Sequence, residues 1–369
     1  MKVALVHDYL REYGGAERVL EAFHQLWPRA PIYTAFKVNH SSAGKAFADA
    51  RVIESWLAPL LKFKNLYSPL RFLIPLIWQS FDLKAYDLVI ASSSWYITRG
   101  FKTGPQTKVV CYCHTPPRYL YGYQTSVEWQ RYLPVKIYGR LISHFLRLYD
   151  FKTAQKVDQF IVNSENVAQR VKKFYRRSST VVYPPVEVSK IIQATKSLRP
   201  QDYYLLVSRV VGAKGIKLAV RAAQKAGVRL KIIGEQAGLS WFNKDIKDLA
   251  IKGKRVEFLG RVSDQQLWQY YGQCRAFLAL AKDEDFGITP VEAMAAGRPV
   301  IAFKGGGYLE SVKEGKTGLF IDKLTVAGLA KVLKQFKAEK FTSQDCRLQA
   351  EKFSKQKFKK KIRNLIKPV

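Results

Sequence analysis

"RAFLALAKDEDFGITPVEAMAAGRPVIAF", residues 275–303, contains one complete structural repeat. "RAFLAL" is a short apolar run of strand type, and residues 283–288 read as a turn. Pro290 suits a first helical turn, Gly297 suits the stop, and "RPVIAF" is a second apolar run. Two strands joined through a helix in this way lie parallel. The same alternation runs the length of the chain, through "KVALV", "YDLVIAS", "TKVVCYC" and "QFIVNS", then "YYLLVS", "VRLKIIG" and "RVEFLG". Several of these runs are continuous rather than alternating, as strands covered on both faces require. Helical stretches such as "GAERVLEAFHQL" and "KLAVRAAQKA" separate them. The pattern predicts an α/β protein with doubly wound parallel sheets.

A chain of 369 residues exceeds one ordinary core. The alternation runs twice, interrupted by "TVVYPPVEV", where Pro184 and Pro185 bar a helix and suit a connector. The reading is a first domain over 1–185, a second over 186–345, and a basic amphipathic helix over 346–369. That helix carries Phe353, Phe358, Ile362, Leu365 and Ile366 at helical spacing between lysines. Open parallel sheets bind ligands beyond the carboxyl ends of their strands, so two such domains facing across a cleft would gather functional residues there.

Hydrophobic residues at 47% and charged residues at 25% describe a globular chain. Lys and Arg number 62 against 29 Asp and Glu, a formal charge of +33. Such a surface attracts nucleic acid, an anionic membrane or phosphorylated ligands, and otherwise is a solvated lysine surface. Cys111, Cys113, Cys274 and Cys346 show no metal-binding or C-x-x-C spacing, and Cys111 and Cys113, alternating in a strand-like run, read as reduced, partly buried thiols of a cytoplasmic protein. The opening "MKVALVHDYL" reads as a first strand rather than a signal peptide. No run is long and apolar enough to span a bilayer. The nearest approach, residues 55–81, is broken by Pro59, Pro69 and Pro75 and by Lys62, Lys64 and Arg71. Its composition suits either a surface lying on a membrane, with Trp56, Phe63, Tyr67, Phe72 and Trp78 as contacts, or a buried loop-and-helix segment. The aromatic, basic run from Tyr119 to Arg147 is a second membrane candidate.

Against that basic background, Asp283, Glu284, Asp285 and Glu292 stand together at the mouth of a helix. They complement the helix dipole, or they accept hydrogen bonds from a hydroxylated ligand. Phe286 and Gly287 bring backbone N–H groups close to the same place. Upstream, in "LLVSRVVGAKGIKLAVRAA", Arg209 follows a strand and Lys214 opens a helix, which suits a diphosphate and also suits a solvated pair. His114 in "VVCYCHTPPRYLYG" sits just past a strand, and Gly14 and Gly15 in "YGGAERVLEAF" follow the first strand and permit close backbone approach.

Together, E-x7-E over Glu284 to Glu292 with "SRVVGAKG" resembles the donor site of retaining glycosyltransferases of family 4, which have the GT-B fold of two Rossmann-like domains. The resemblance implies that Glu284, with the backbone of Phe286 and Gly287, contacts the transferred sugar. It implies that Glu292 binds the ribose, Arg209 and Lys214 neutralise the diphosphate, His114 contacts the donor sugar, and Gly14 and Gly15 lie near the phosphates. "HDYL…GGAERV", "CYCHTPPRYLY" and "EDFGITPVEA" are most similar to bacterial mannosyltransferases of O-antigen and related polysaccharides. On that resemblance the expected activity is retaining, metal-independent transfer of mannose from GDP-mannose to a lipid-linked saccharide. The enzyme would be peripheral on the inner face of the cytoplasmic membrane, bound to its anionic surface, with no nucleic-acid partner. Asp283-Glu284-Asp285 is formally D-x-D, a metal signature, and is read here as not metal-binding, because Arg209 and Lys214 supply the positive charge. The alternatives are a UDP-sugar donor on the same fold, a glycoside hydrolase, an epimerase or phosphorylase, and a basic nucleic-acid-binding protein.

Overall fold

The continuous apolar runs are parallel strands in two separate sheets. The computed structural model describes residues 1–125, 133–209, 214–235 and 255–366. The runs "SRVVGAKG" and Tyr119 to Arg147 therefore lie partly outside the described residues. The first sheet contains β1 (Val3–His7), β2 (Ile32–Thr34), β3 (Val52–Glu54), β4 (Leu88–Ser93), β5 (Lys108–Cys113), β6 (Gln159–Val162) and β7 (Thr180–Val181). Its order is β3-β2-β1-β4-β5-β6-β7, with every pair parallel. The second sheet contains β8 (Tyr204–Val207), β9 (Leu230–Ile233), β10 (Val256–Gly260), β11 (Ala276–Ala279), β12 (Val300–Phe303) and β13 (Gly318–Ile321). Its order is β10-β9-β8-β11-β12-β13, again all parallel. Strand order reverses direction at β1/β4 in one sheet and at β8/β11 in the other. Those are the positions where a doubly wound sheet opens to a ligand.

The chain forms two compact units, residues 1–123, 129–185 and 358–369 in the first, and 124–128 and 186–357 in the second. The single helix expected over 346–369 is two helices, Ser343–Glu351 and Lys355–Leu365. The interruption has a backbone cause. Val186 N–H donates to Phe353 O at 3.1 Å, and Lys355 N–H donates to Val186 O at 2.9 Å, so residues 353–355 pair as a bridge instead of coiling. Past the break, Phe358, Ile362 and Ile366 are buried in the first unit's core, where Phe358 meets Phe23 and Tyr112. Lysines at the intervening positions explain why so polar a sequence still forms a core helix.

Residues 55–81 form the buried loop-and-helix segment on one face and expose apolar side chains on the other. Helices Ala58–Lys62 and Ile74–Gln79 begin at Pro59 and Pro75, whose missing N–H groups cost nothing there. Leu57, Leu61, Ile74, Ile77 and Trp78 are buried, while Trp56, Leu60, Phe63, Phe72 and Leu76 are exposed. Trp78 is thus removed from the membrane candidates, because its indole N–H is committed to Tyr96 O at 2.7 Å in the core. Tyr67 is half-buried against Tyr9 and Phe36. The helix Leu133–Ala154 presents Leu133, Ile137, Leu141, Phe145, Leu148 and Phe151 to solvent. That is an apolar stripe at helical spacing. All four cysteines are free and buried. Among the described residues, no helix is long and apolar enough to cross a membrane.

Candidate active site

In the first unit, one candidate cluster grows from the ends of β1, β4 and β5. Asp8, directly after β1, is buried, and its Oδ2 accepts the Ser94 hydroxyl (2.7 Å) and the N–H groups of Trp95 (2.7 Å) and Tyr96 (3.1 Å). Thr98 Oγ1 donates to its other oxygen. A carboxylate with this many donors fixes the loop after β4 firmly. In that loop Ile97, buried and β-branched, holds a φ of 51°. Such a residue rarely occupies the left-handed region, and here the Asp8 contacts hold the strain in place.

Beside Asp8, His7 Nδ1 lies 3.0 Å from Ser92 Oγ, which lies 2.8 Å from His114 Nε2. His7 Nε2 lies 3.3 Å from Glu17 Oε1, in the helix Gly15–Leu26. Gly14 caps that helix, and its N–H donates to Glu17 Oε2 at 2.8 Å. A Cβ at Gly14 would stand 3.3 Å from the same oxygen, closer than side chains ordinarily pack. Gly15 follows, exposed, as the first helical residue. His114 is 8% exposed, and its backbone O accepts from Asn163 Nδ2 at 2.8 Å. Burial, and then the neighbouring His7, push its imidazole down to about 3, so the ring is neutral at physiological pH.

In the second unit, a separate candidate cluster lies at the ends of β8, β11 and β12. Lys214 Nζ and Glu284 Oε2 form an ion pair at 2.6 Å, with side-chain exposures of 24% and 16%. Tyr308 donates its hydroxyl to the same Glu284 oxygen at 3.3 Å. Gly215 follows Lys214 at φ 72°, and a Cβ there would press within 2.8 Å of Leu280 at the end of β11. Close strand–helix approach thus brings the lysine to the acidic loop. Glycines set that loop as well. Gly287 sits at φ 87°, where a Cβ would stand 2.7 Å from the Tyr308 ring. Side chains at Gly306 and Gly307 would collide with the backbone of Glu284 and of Phe286. Gly307 N–H donates to Glu284 O at 3.0 Å.

The remaining expected residues are less alike. Phe286 is buried, its ring packed on Phe353 at 5.3 Å, so only its backbone faces the loop. Arg209 is exposed just past β8. Glu292 is 1% exposed inside the helix Ile288–Ala295 and accepts the Tyr271 hydroxyl at 2.9 Å. Among the described residues, no three His, Cys, Asp or Glu side chains gather as a metal ion would require, and Asp283 and Asp285 do not form such a group with Glu284. The structure thus brings together Lys214, Glu284 and Gly287 in one unit, and Gly14 and His114, through Glu17, His7 and Ser92, in the other. Sequence reasoning missed His7, Glu17, Ser92, Tyr308 and the run Gly305–Gly307. The glycine run directly after a strand was the available signal for the last.

Residues 188–356 match the family described as Glycosyl transferases group 1, and residues 13–190 match Glycosyltransferase Family 4. Alpha-1,3/1,6-mannosyltransferase ALG2 of Dictyostelium discoideum is 25% identical over 64% of this chain and 64% of its own length. The homologous enzyme of Rhizomucor pusillus is 25% identical over 87% of this chain and 80% of its own. D-inositol 3-phosphate glycosyltransferase of Mycolicibacterium smegmatis is 29% identical over 46% of this chain and 43% of its own. The chain therefore spans somewhat under two thirds of the Dictyostelium relative and less than half of the mycobacterial one. Among solved structures, Anabaena HepE in complex with UDP and glucose superposes over 100% of both chains at a TM-score of 0.70 and 17% identity. Sucrose-phosphate synthase of Thermosynechococcus elongatus covers 99% of this chain and 98% of its own, at 0.72 and 18%. Each of the two parallel α/β units is matched by a glycosyltransferase family model, over a combined 13–356, and the chain has the GT-B fold.

Proposed function

We propose that the chain is a retaining, metal-independent α-mannosyltransferase that moves mannose from GDP-mannose to a lipid-linked saccharide in surface polysaccharide synthesis. The observation that carries this reading is the Lys214–Glu284 pair at 2.6 Å, framed by glycines at the end of β11. An ammonium has three donors, so Lys214 can hold Glu284 and still reach a leaving diphosphate. Glu284 then accepts sugar hydroxyls, and Arg209 adds a second cation for the phosphates. Glu292, oriented by Tyr271, is the ribose acceptor of this reading. Charge that develops on the leaving diphosphate is stabilised by groups already in place, and positioning supplies the rest of the acceleration. The mannosyl part draws support from the ALG2 relatives. The HepE complexes with UDP and UDP-glucose favour the second reading, a UDP-sugar donor. Turnover of a panel of nucleotide sugars with lipid-linked acceptors, in excess EDTA, decides between them. Transfer from GDP-mannose alone is expected. Transfer from UDP-sugars alone would replace the donor, and strict metal dependence would bring back the D-x-D reading of Asp283 to Asp285.

The acceptor's location explains the charge. A net +33 is attracted to an anionic leaflet by about 1 kcal/mol per nearby basic residue. Charge alone is screened within about 8 Å at physiological salt, so apolar contact must accompany it. Support comes from two exposed apolar surfaces in the first unit: Trp56, Phe63 and Phe72, and the stripe Ile137, Leu141, Phe145 and Leu148. Arg71 stacks on Trp95 and Tyr119, so reversing its charge would disturb packing, and Lys64 with Phe145 makes the cleaner test. Lys64→Glu with Phe145→Ser is expected to weaken sedimentation with anionic vesicles while leaving GDP affinity intact. Equal binding to neutral and anionic vesicles at low salt would leave the charge as surface solvation.

A further inference from the structure

Three adjacent parallel strands end side by side in the first unit, and each delivers one polar group to the same spot. Register pairs His7 of β1 with Ser92 of β4, and His114 directly follows β5, the next strand. Ser92 Oγ stands between the two imidazoles, 3.0 Å from His7 Nδ1 and 2.8 Å from His114 Nε2. His7 and Ser92 are 2% and 1% exposed, so both are shielded from bulk solvent. Beyond His7 comes Glu17, at 3.3 Å.

Protons in such a row cannot be placed independently. A carboxylate only accepts, a hydroxyl has one proton, and a neutral imidazole has one N–H. With His7 neutral, Glu17 therefore calls for the proton on His7 Nε2, which leaves His7 Nδ1 bare. That nitrogen accepts the Ser92 hydroxyl, and Ser92 Oγ in turn accepts from His114 Nε2–H. One tautomer of His114 follows, with Nδ1 carrying a lone pair, and Nδ1 has no partner among the described residues. Which ring nitrogen is protonated is set by the bond the other one makes.

We propose that Glu17 fixes the tautomer of His114 through His7 and Ser92, so that His114 offers Nδ1 as a hydrogen-bond acceptor to a sugar hydroxyl. Only the final clause rests on His114 meeting the donor sugar; the proton order does not. Glu17, His7 and Ser92 are positioning residues. Because Glu17 Oε2 also holds Gly14 N–H, one side chain sets both the glycine loop and the histidine.

Glu17→Gln tests the order with little change of shape. The amide oxygen can keep Gly14 N–H, while the amide N–H turns to His7 Nε2. The whole row then reverses: His7 Nδ1–H donates to Ser92, Ser92 donates to His114 Nε2, and His114 becomes an Nδ1–H donor. Long-range proton–nitrogen NMR of the full chain with labelled histidine reads the tautomers. The chain has five histidines, and His7→Gln and His114→Gln assign two of them. The expected result is Nε2–H on His114 in the parent and Nδ1–H in Glu17→Gln. The same His114 tautomer in both overturns the proposal. Should Glu17→Gln fail to fold, Ser92→Ala serves instead: His114 is expected to lose its single tautomer, and an unchanged Nε2–H form overturns the proposal. Glu17→Gln is also expected to lose about tenfold or more in turnover with GDP affinity unchanged, as removal of an orienting partner does elsewhere. A reversed tautomer with full turnover upholds the row and removes His114 from the donor sugar.

Discussion

At the ends of β1, β4 and β5 the polar groups are buried and satisfy one another: His7, Ser92 and His114 in a row, and Asp8 under the N–H groups of Trp95 and Tyr96. At the ends of β8, β11 and β12 the groups are charged and partly exposed, and glycines shape their surroundings: Gly215, Gly287, Gly306 and Gly307 around Lys214 and Glu284. Each arrangement suits its chemistry. A buried polar network whose members satisfy one another gains rigidity, because every donor has a defined acceptor. Ionised groups lose their hydration when buried, so a site proposed to meet phosphates is served by keeping them near the surface and positioning them with backbone. The first half should therefore respond to changes of proton, and the second to changes of charge and volume.

The largest effect should come from charge in the second half. Lys214→Ala is expected to reduce transfer on the order of 10²–10³-fold, since in the proposed reading Lys214 stabilises charge on the leaving diphosphate. Arg209→Lys should keep only part of the parent's turnover, because an ammonium lacks the planar fork. Near-normal turnover in a folded Lys214→Ala would break the comparison at its foundation. Volume comes next. Gly307→Ala touches no charged group, yet its Cβ would enter the space of the Phe286 backbone. A displacement of the acidic loop by about 1 Å is expected to cost about 10²-fold in turnover. Loss of folding, read by thermal unfolding, would instead mean that the glycines serve stability alone.

Proton chemistry in the first half sharpens the comparison through stability. The folded pKa of His114, about 3, lies below its ordinary 6.5. Between those values the unfolded chain binds a proton that the folded chain refuses, so stability falls as pH is lowered from 6.5 toward 3. The contribution is about 1.4 kcal/mol per pH unit once well below 6.5. His114→Gln removes it. Urea unfolding at stepped pH should show the variant losing stability less steeply than the parent by about that amount, and parallel curves would show His114 to be solvated.

How much of this was legible follows from the length of sequence each feature occupies. The apolar runs behind β1, β4, β5 and β8 were read correctly because each is continuous and buried. The runs behind β2, β3 and β7 are three residues or fewer toward the two ends of the sheet, too short for any period to appear. β13 opens on Gly318, which reads as a turn. Lys214 and Glu284 were visible because their residue types conflict with, or open, local structure. The His7–Ser92 contact was not, because its members stand 85 residues apart and meet only through strand register. The break at Lys352–Ser354 was hidden for the same reason, since its backbone partner Val186 is remote.

The smallest expected effect tests how the second half orients its carboxylate. Tyr308 follows the glycine run, and its ring closes over Gly287 while its hydroxyl reaches Glu284 Oε2 at 3.3 Å. That is a long bond to an oxygen already held by Lys214 at 2.6 Å. Tyr308→Phe keeps the ring that packs on Gly287 and removes only the donor. Hydrogen bonds to charged groups contribute about 1.5–3 kcal/mol when well formed, and the length here argues for about 1 kcal/mol, or roughly fivefold in turnover. Because Glu284 is the sugar's acceptor in this reading, the loss should fall on turnover while GDP affinity, measured by calorimetry, stays at the parent value. A matching loss of GDP affinity would place Glu284 and Tyr308 at the nucleotide instead. No change in either would mean that Lys214 orients the carboxylate alone, and the second half would then be set by one ion pair and the glycines around it.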